Sequence, residues 1–228
     1  MRFLRLLPKH WRRRIRDYAP RGFRDVESCG AFYDARSRLF RGDEAAVLEY
    51  SSLEVQGRLF ERAVEALSPH GRILDVGCGL GHLVDFLEAR DAHFDAYHGI
   101  DISAAMVREA SVRVGDRSSV RFERRDVVAQ LLAPGSHEVG YLISVLGYPI
   151  GGDPMGAMME ILSGVFDACT DGLVFTHLVD GRRERPLAFP TVPNDLAARC
   201  ERELGSRATV FDDGEDFTYL IRLRHRNT

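Results

Sequence analysis

Hydrophobic positions divide the chain into two parts at Gly71. Before it, apolar residues recur at helical spacing over residues 45–67, which predicts one long helix, whereas residues 28–44 are short and mixed in pattern. After Gly71, short apolar runs alternate with helical segments. This alternation is typical of βαβ units and predicts an α/β domain with a parallel sheet.

The elements of this domain follow from the lengths of the runs. Parallel strands are predicted at 72–76, 97–102, 120–124, 139–145 and 173–179. Helices are predicted at 80–90, 103–114, 127–133, 155–168 and 194–204. The last two apolar runs, 207–211 and 217–223, flank an acidic turn at 212–216, and this arrangement predicts an antiparallel hairpin.

Charge is unevenly distributed along the chain. The 228 residues carry 31 basic and 34 acidic side chains, so there is no overall basic field for nucleic acid. Residues 1–24, however, contain nine basic residues and one acidic residue. This basic arm either binds an anionic partner, such as RNA or a membrane surface, or packs on the body as a solvated arm.

Cysteine usage and hydropathy restrict the class further. No apolar stretch approaches the roughly 20 residues that a membrane-spanning helix needs. The 4 cysteines are dispersed, without spacing typical of a metal site. We therefore expect reduced thiols, a cytoplasmic protein and no bound metal.

A glycine-rich loop is the strongest chemical signal in the sequence. A predicted buried strand runs into Gly77, Gly79 and Gly81, and a predicted helix follows. Glycines let the backbone turn sharply and approach a ligand, and a helix N-terminus offers free N–H groups. The spacing is G-x-G-x-G rather than the G-x-G-x-x-G of dinucleotide sites. Asp75, just before the loop, suits a cationic amino acid group better than a pyrophosphate.

Two further aspartates end the next two predicted strands. Asp101 is placed where a carboxylate can accept hydrogen bonds from both ribose hydroxyls, and Ser103 is a natural N-cap for the helix that follows. Asp126 ends the third strand, where it can meet an adenine amine.

These motifs together resemble the class I S-adenosylmethionine-dependent methyltransferases. The segment LDVGCGLG at 74–81, with Asp101 and Asp126, carries the resemblance. It implies a Rossmann-like three-layer sandwich with a seven-stranded sheet of order 3-2-1-4-5-7-6, the last strand antiparallel. Residues 71–228 would form this domain, and residues 1–70 would form a basic arm and a helical cap.

The resemblance implies S-adenosylmethionine as cofactor and S-adenosylhomocysteine as product. The residues expected to contact the cofactor are Arg58, Asp75, Gly77, Gly79, Gly81, Asp101, Ile102, Met106, Asp126, Val127 and Ser144. Arg58 would pair with the methionyl carboxylate, because its surroundings resemble a Q-x-x-R-F helix of some small-molecule members; the alternative is a solvated helix arginine.

The acceptor would lie beyond the fourth and fifth strands. His177 and Tyr148 are the candidate catalytic residues, although His177 could be a half-buried strand histidine and Tyr148 could stiffen its loop. Candidate substrate contacts are Tyr33, Tyr50, Tyr148, Arg182 and Arg183. The two arginines favour an anionic acceptor, unless they are simply solvated.

The resulting hypothesis is methyl transfer by in-line displacement to an oxygen or nitrogen of a small metabolite in bacterial natural-product biosynthesis, with anionic metabolites among the candidates. The fourth strand lacks the Asn/Asp-Pro-Pro-Tyr/Phe box used on planar nitrogens. The partner would be a small-molecule acceptor, with nucleic acid disfavoured and a monomer or homodimer expected. The alternatives are an RNA or protein methyltransferase that uses the basic arm, a non-catalytic relative and, remotely, a nicotinamide dehydrogenase.

Overall fold

A computed structural model describes residues 22–179, 189–212 and 218–226. Most of the basic arm predicted at 1–24, the arginines Arg182 and Arg183, and most of the acidic turn of the hairpin lie outside these residues. Within them, no helix is both long enough and apolar enough to cross a membrane.

A seven-stranded sheet forms the middle layer. Its strands are β1 (Arg72–Val76), β2 (Ala96–Asp101), β3 (Val120–Arg124), β4 (His137–Leu142), β5 (Cys169–Leu178), β6 (Ser206–Phe211) and β7 (Thr218–His225). Their order is β3-β2-β1-β4-β5-β7-β6. Strands β1 to β5 pair in parallel, and β7 pairs antiparallel with both β5 and β6. The predicted Rossmann-like sheet, with its terminal hairpin, is confirmed.

Helices cover both faces of the sheet. They are α1 (Val26–Leu39), α2 (Glu44–Val47), α3 (Leu53–Ala66), α4 (His82–Glu88), α5 (Ala104–Val114), α6 (Pro154–Ala168) and α7 (Pro193–Glu203). Helix α6 buries Leu162 and Val165 against Leu173 on one face. On the other face, Phe60 of α3 and Leu83 of α4 share a core. The two cores give the three-layer arrangement.

The N-terminal helices differ from the prediction. The helix expected at 45–67 is two helices, because Glu49 has a left-handed φ of 65° and Ser52 begins α3 by accepting a hydrogen bond from Val55 N–H. The stretch 28–44, which is mixed in pattern and was assigned no element of its own, falls largely within α1. A capping box between Asp25 and Ser28 begins that helix, a side-chain signal that outweighs its weak hydrophobic periodicity.

Two elements after Gly71 also need correction. Residues 127–133 form turns rather than a helix, because the Asp126 carboxylate accepts hydrogen bonds from Val128 N–H and Ala129 N–H. The fourth strand ends at Leu142 rather than at 145. Beyond it, Ser144 takes a φ of 62°, and its N–H leaves the ladder to bind Thr176 Oγ1 at 2.7 Å.

The first described residues cover the carboxyl end of the sheet. Phe23 N–H donates to Pro149 O, and Gly151 N–H donates to Phe23 O, each at 2.8 Å. The Phe23 ring also contacts Phe32 and Tyr148, with centroids 5.3 and 5.2 Å away. Helix α1 and the loop between β4 and α6 therefore meet above the strand ends.

Candidate cofactor and acceptor site

A cavity opens at the carboxyl ends of β1, β2 and β4, beneath the N-terminal helices. It contains about 1300 Å³ of space, including the part open to solvent. Of the residues predicted to contact cofactor or substrate, those that line it are Tyr33, Tyr50, Asp75, Gly77, Gly79, Asp101, Ile102, Met106, Asp126, Val127, Ser144 and Tyr148. Carboxyl ends of parallel strands are the usual ligand position in open α/β sheets.

The glycine loop lines the cavity with backbone atoms. Side chains at Gly77 and Gly79 would collide with neighbouring residues. Gly77 has a φ of 74°, and a Cβ on it would lie 2.4 Å from a methyl carbon of Val145. Gly79 has a φ of 53°, and a Cβ would lie 2.7 Å from Leu48 Cδ2. Gly81, by contrast, does not line the cavity and takes a left-handed conformation as the N-cap of α4.

Asp101 is tied to the glycine loop. Its Oδ2 accepts a hydrogen bond from Gly79 N–H at 3.0 Å, and its Oδ1 accepts one from Ser103 N–H at 2.8 Å. Burial nevertheless raises the pKa of Asp101 to about 6. Each carboxylate oxygen keeps a lone pair for a further donor, so the group can still receive ligand hydroxyls. Ser103 is the N-cap of α5, as predicted.

Asp75 is the more deeply perturbed carboxyl group. It is 4% exposed, and Tyr97 Oη donates a hydrogen bond to its Oδ2. Burial raises the pKa of Asp75 to about 7, even though the tyrosine bond lowers it. A cation placed beside the buried carboxyl would favour its charged form.

Residues that follow β2 and β3 line a further part of the cavity. Ile102 and Met106 follow β2, whereas Asp126 and Val127 follow β3. The Asp126 Oδ1 is occupied by the two turn N–H groups described above, at 2.9 and 3.2 Å. Its Oδ2 is the oxygen that can face a ligand.

Helix α1 contributes a residue that the sequence analysis missed. Asp34 Oδ1 accepts hydrogen bonds from Ser103 Oγ at 2.6 Å and from Ala105 N–H at 2.9 Å. It thereby caps α5 from another element. Gly30 allows this approach, because a Cβ there would lie 2.9 Å from Ile102 O. No local motif signals a cap that comes from 69 residues away.

Three tyrosines, Tyr33, Tyr50 and Tyr148, also line the cavity. Burial raises the pKa of Tyr50 to about 12, and it raises the pKa of Tyr33 well above the usual value. The hydroxyls of Tyr33 and Tyr148 both donate to Glu49 Oε2, at 3.1 and 2.6 Å. Glu49 was also missed by the sequence analysis, and its positive φ is a conformation that only a few per cent of non-glycine residues adopt.

The comparisons with known proteins agree with this geometry. A family model described as a methyltransferase domain matches residues 74–183, which span the glycine loop, Asp101 and Asp126. The chain carries a methyltransferase domain. The predicted family, with its Rossmann-like fold, is confirmed.

Individual relatives of the methyltransferase domain vary in how much they cover. Rv1506c of Mycobacterium tuberculosis, named as a methyltransferase, is 46% identical over 61 residues, which are 27% of this chain and 36% of that protein. The DhpI–SAH complex (SAH, S-adenosylhomocysteine) has a TM-score of 0.64 at 18% identity and covers 88% of this chain and 97% of that one. The [4+2]-cyclase SpnF has a TM-score of 0.69 at 15% identity, with coverage of 91% and 99%. The two solved structures are evidence of the fold alone.

Besides Gly81, two residues that were predicted to belong to the site, Arg58 and His177, do not line the cavity. Arg58 is exposed on α3, whereas Gln56 on the same helix lines the cavity. His177 is 2% exposed and packs against the rings of Phe189 and Tyr219, each 6.0 Å away between centroids. Burial lowers the pKa of His177 to about 4. Of these three, only Phe189 lines the cavity.

Among residues 22–179, 189–212 and 218–226, no group of three or more His, Cys, Asp or Glu side chains is placed to hold a metal ion. Two of the cysteines, Cys29 and Cys78, line the cavity, and burial raises the pKa of both thiols.

Proposed function

We propose that this protein is an S-adenosylmethionine-dependent methyltransferase that acts on an oxygen or nitrogen of a small-molecule acceptor. The observation that carries the proposal is one cavity lined by two groups of residues. The glycine loop, Asp75 and Asp101 form the first group, the cofactor wall. Tyr33, Tyr50 and Tyr148 form the second group, the acceptor wall. The methyltransferase family model spans the cofactor wall and supports the choice of cofactor.

The residues of the cofactor wall fit this cofactor. Gly77 and Gly79 line the cavity with backbone and take positive φ values, so the methionyl part can lie against the main chain. Asp75 is placed to pair with its ammonium group, Asp101 with its ribose hydroxyls, and Asp126 with its adenine amine. The exposed position of Arg58 favours the solvated alternative over a bond to the methionyl carboxylate.

The chemistry asks for alignment more than for a strong base. S-adenosylmethionine would supply a methyl group bonded to a positively charged sulfur. The neutral thioether that remains after transfer is a good leaving group. The acceptor wall and Ser144 would hold the acceptor atom in line with the S–CH₃ bond and exclude water, and such positioning accounts for much of the rate. Tyr148 is the candidate that touches the acceptor. The position and low pKa of His177 favour a structural histidine.

The covered cavity supports a small acceptor. The cavity lies beneath the N-terminal helices, so an acceptor has to fit under this cover. Phe23 and α1 lie over the strand ends, where a polymer would otherwise enter. A cytoplasmic location and a biosynthetic role are parts of this proposal, whereas Arg182 and Arg183, on which the expected anionic preference rests, lie outside the described residues.

Calorimetric titration with S-adenosylmethionine and S-adenosylhomocysteine tests the proposal. We expect micromolar binding by the wild type and loss of binding in Asp101→Ala. Asp95→Ala is the control and should bind like the wild type, because Asp95 is exposed and directly precedes β2. Mass spectrometry of small-molecule panels would then identify the methylated product. Folded wild type that binds neither compound would contradict the proposal, and methylation of RNA or protein alone would favour the alternative.

A further inference from the structure

The carboxylate of Glu49 lies between two tyrosines of the acceptor wall. Tyr33 Oη and Tyr148 Oη are both within hydrogen-bond distance of the same oxygen, Oε2, at 3.1 and 2.6 Å. The other oxygen, Oε1, is 3.5 Å from Arg36 Nη1. The Arg36 side chain is only 11% exposed and also donates to Val47 O at 3.1 Å. The position of Glu49 is thus fixed from the protein interior.

This arrangement determines the direction of both hydrogen bonds. A carboxylate only accepts, whereas a tyrosine hydroxyl has one proton to donate and lone pairs with which to accept. Tyr33 and Tyr148 must therefore each give their proton to Glu49. Because these protons are used, neither hydroxyl can donate to a molecule in the cavity. A molecule that bonds to this wall has to supply the donors itself.

The charges around the cavity act in the same direction. Among the described lining residues, Asp75, Asp101 and Asp126 carry carboxyl groups, and Arg125 is the one arginine or lysine. The Arg125 guanidinium is already engaged, since it donates to Glu123 Oε1 at 2.9 Å and to Gln130 O at 3.1 Å. Among the described lining residues, therefore, no arginine or lysine is left to pair with an anion that has lost its hydration beside the tyrosines.

We propose that Glu49 sets the polarity of the acceptor site, so that the acceptor is a hydroxyl- or amine-bearing molecule without negative charge on the group that meets Tyr33 and Tyr148. This inference rests on the proposed function and names its substrate class. It stands against the anionic preference that Arg182 and Arg183 suggest. Glu49 acts through the tyrosines and is a positioning residue.

Small aromatic probes that differ in one group test this polarity. Competition NMR would measure the binding of phenol, aniline, anisole and benzoate to the protein saturated with S-adenosylhomocysteine. An unpaired buried acceptor costs about 1–3 kcal/mol, so phenol and aniline should bind about tenfold more tightly than anisole and benzoate. Equal or tighter binding of benzoate or anisole, or no binding of phenol and aniline, overturns the inference.

Substitution of Glu49 provides the decisive comparison. In Glu49→Gln the amide N–H₂ can donate to one tyrosyl oxygen, which frees that hydroxyl proton for the cavity. The benzoate-to-phenol affinity ratio should then rise about tenfold. Tyr33→Phe and Tyr148→Phe should each weaken the preference for phenol over anisole. Glu54→Gln, an exposed control on α3, should leave every ratio unchanged.

Failure of the inference can be separated from failure of the proposed function. Binding of S-adenosylhomocysteine to each variant is measured first, and the thermal unfolding midpoint shows that each variant is folded. If this binding persists while Glu49→Gln keeps the wild-type probe ratios, Glu49 does not set the polarity, although the cofactor proposal stands. If the wild type does not bind S-adenosylhomocysteine, it is the proposed function that fails.

Discussion

The backbone N–H of Gly79 donates a 3.0 Å hydrogen bond to Asp101 Oδ2, which joins two motifs that are 22 residues apart in sequence. The glycine loop and the proposed ribose-binding carboxylate are therefore one structural unit. A change at either residue should therefore alter the conformation of the other.

Gly77→Ala should abolish detectable binding of S-adenosylhomocysteine. The new Cβ would meet Val145 at 2.4 Å, in a backbone with a φ of 74°. Gly115→Ala is the matched control, because its φ is 73° but no atom lies within 4 Å of its Cβ. The control should lose only about 1–2 kcal/mol of stability to backbone strain. Calorimetry and thermal denaturation measure both effects, and equal affinities in the two variants would contradict the prediction.

Binding of S-adenosylhomocysteine should weaken as the pH falls. The pKa of Asp75 is raised to about 7, and only its carboxylate form pairs with the ligand ammonium. Protonation therefore removes affinity as the pH falls through about 7, and Asp101, with a pKa of about 6, should extend the loss to lower pH. Asp75→Asn should bind weakly at neutral pH with a flatter profile above about pH 6.5. A wild-type affinity that is constant between about pH 8 and pH 5.5 would contradict this assignment.

Acid should destabilise the protein through two buried histidines. His98 Nε2 is 3.1 Å from Glu123 Oε2, and His98 Nδ1 is 3.2 Å from His137 Nε2. Burial is the main reason why the pKa of each histidine is lowered to about 4. The folded state then binds fewer protons than the unfolded chain between about pH 6.5 and pH 4, so stability is lost as the pH falls through this window.

Replacement of one histidine tests this acid sensitivity. Each titrating group contributes at most about 1.4 kcal/mol per pH unit to the slope. His137→Gln should therefore reduce the dependence of the unfolding free energy on pH, measured by urea denaturation. His93→Gln, at an exposed position, should keep the wild-type slope. Asp75 and Asp101, with raised pKa values, oppose the effect in all three proteins, so the comparison is between slopes.

Arg36→Met should loosen the segment that carries Glu49. The guanidinium donates to Ala46 O and Val47 O and pairs with Glu49, which is 26% exposed. Its loss leaves a partly buried carboxylate and two carbonyl groups without this partner, at a cost of about 2–4 kcal/mol. Hydrogen exchange should accelerate over residues 43–50. Arg38→Met, at an exposed position of the same helix, should change neither stability nor exchange.

His177→Leu should leave binding of S-adenosylhomocysteine unchanged, and its turnover on any identified acceptor should stay within about threefold of wild type. The ring is buried, lies outside the cavity lining and has a lowered pKa, so an apolar side chain can replace it at little cost. Tyr148→Phe serves as the comparison, since Tyr148 lines the cavity and should lower turnover. A loss of about 100-fold in His177→Leu would restore the general-base hypothesis.

Much of the methyltransferase domain follows from local pattern. Short apolar runs between helical segments placed the strands, and the strand order followed from the family resemblance of the glycine loop. Asp75 and Asp101 were predicted as site residues because each ends a strand, and parallel strands that share an edge bring such residues together. The helix predicted at 127–133 was wrong for a local reason, because the Asp126 carboxylate stabilises turns there.

By itself the sequence determined the strands, through their short apolar runs, and placed the glycine loop, Asp75 and Asp101 at strand ends, whereas the strand order came from the family resemblance. Tyr33, Tyr50 and Tyr148 were also named from the sequence, but only the tertiary structure showed which residues hold Tyr33, Tyr148 and the start of α5 in place. Glu49 meets Tyr148 across 99 residues, and Asp34 caps α5 from 69 residues away. Such contacts depend on how separate elements dock, and neither spacing nor propensity encodes that docking. His177 illustrates the same limit, because its place on a strand does not reveal that its ring packs against Phe189, which lines the cavity while His177 does not.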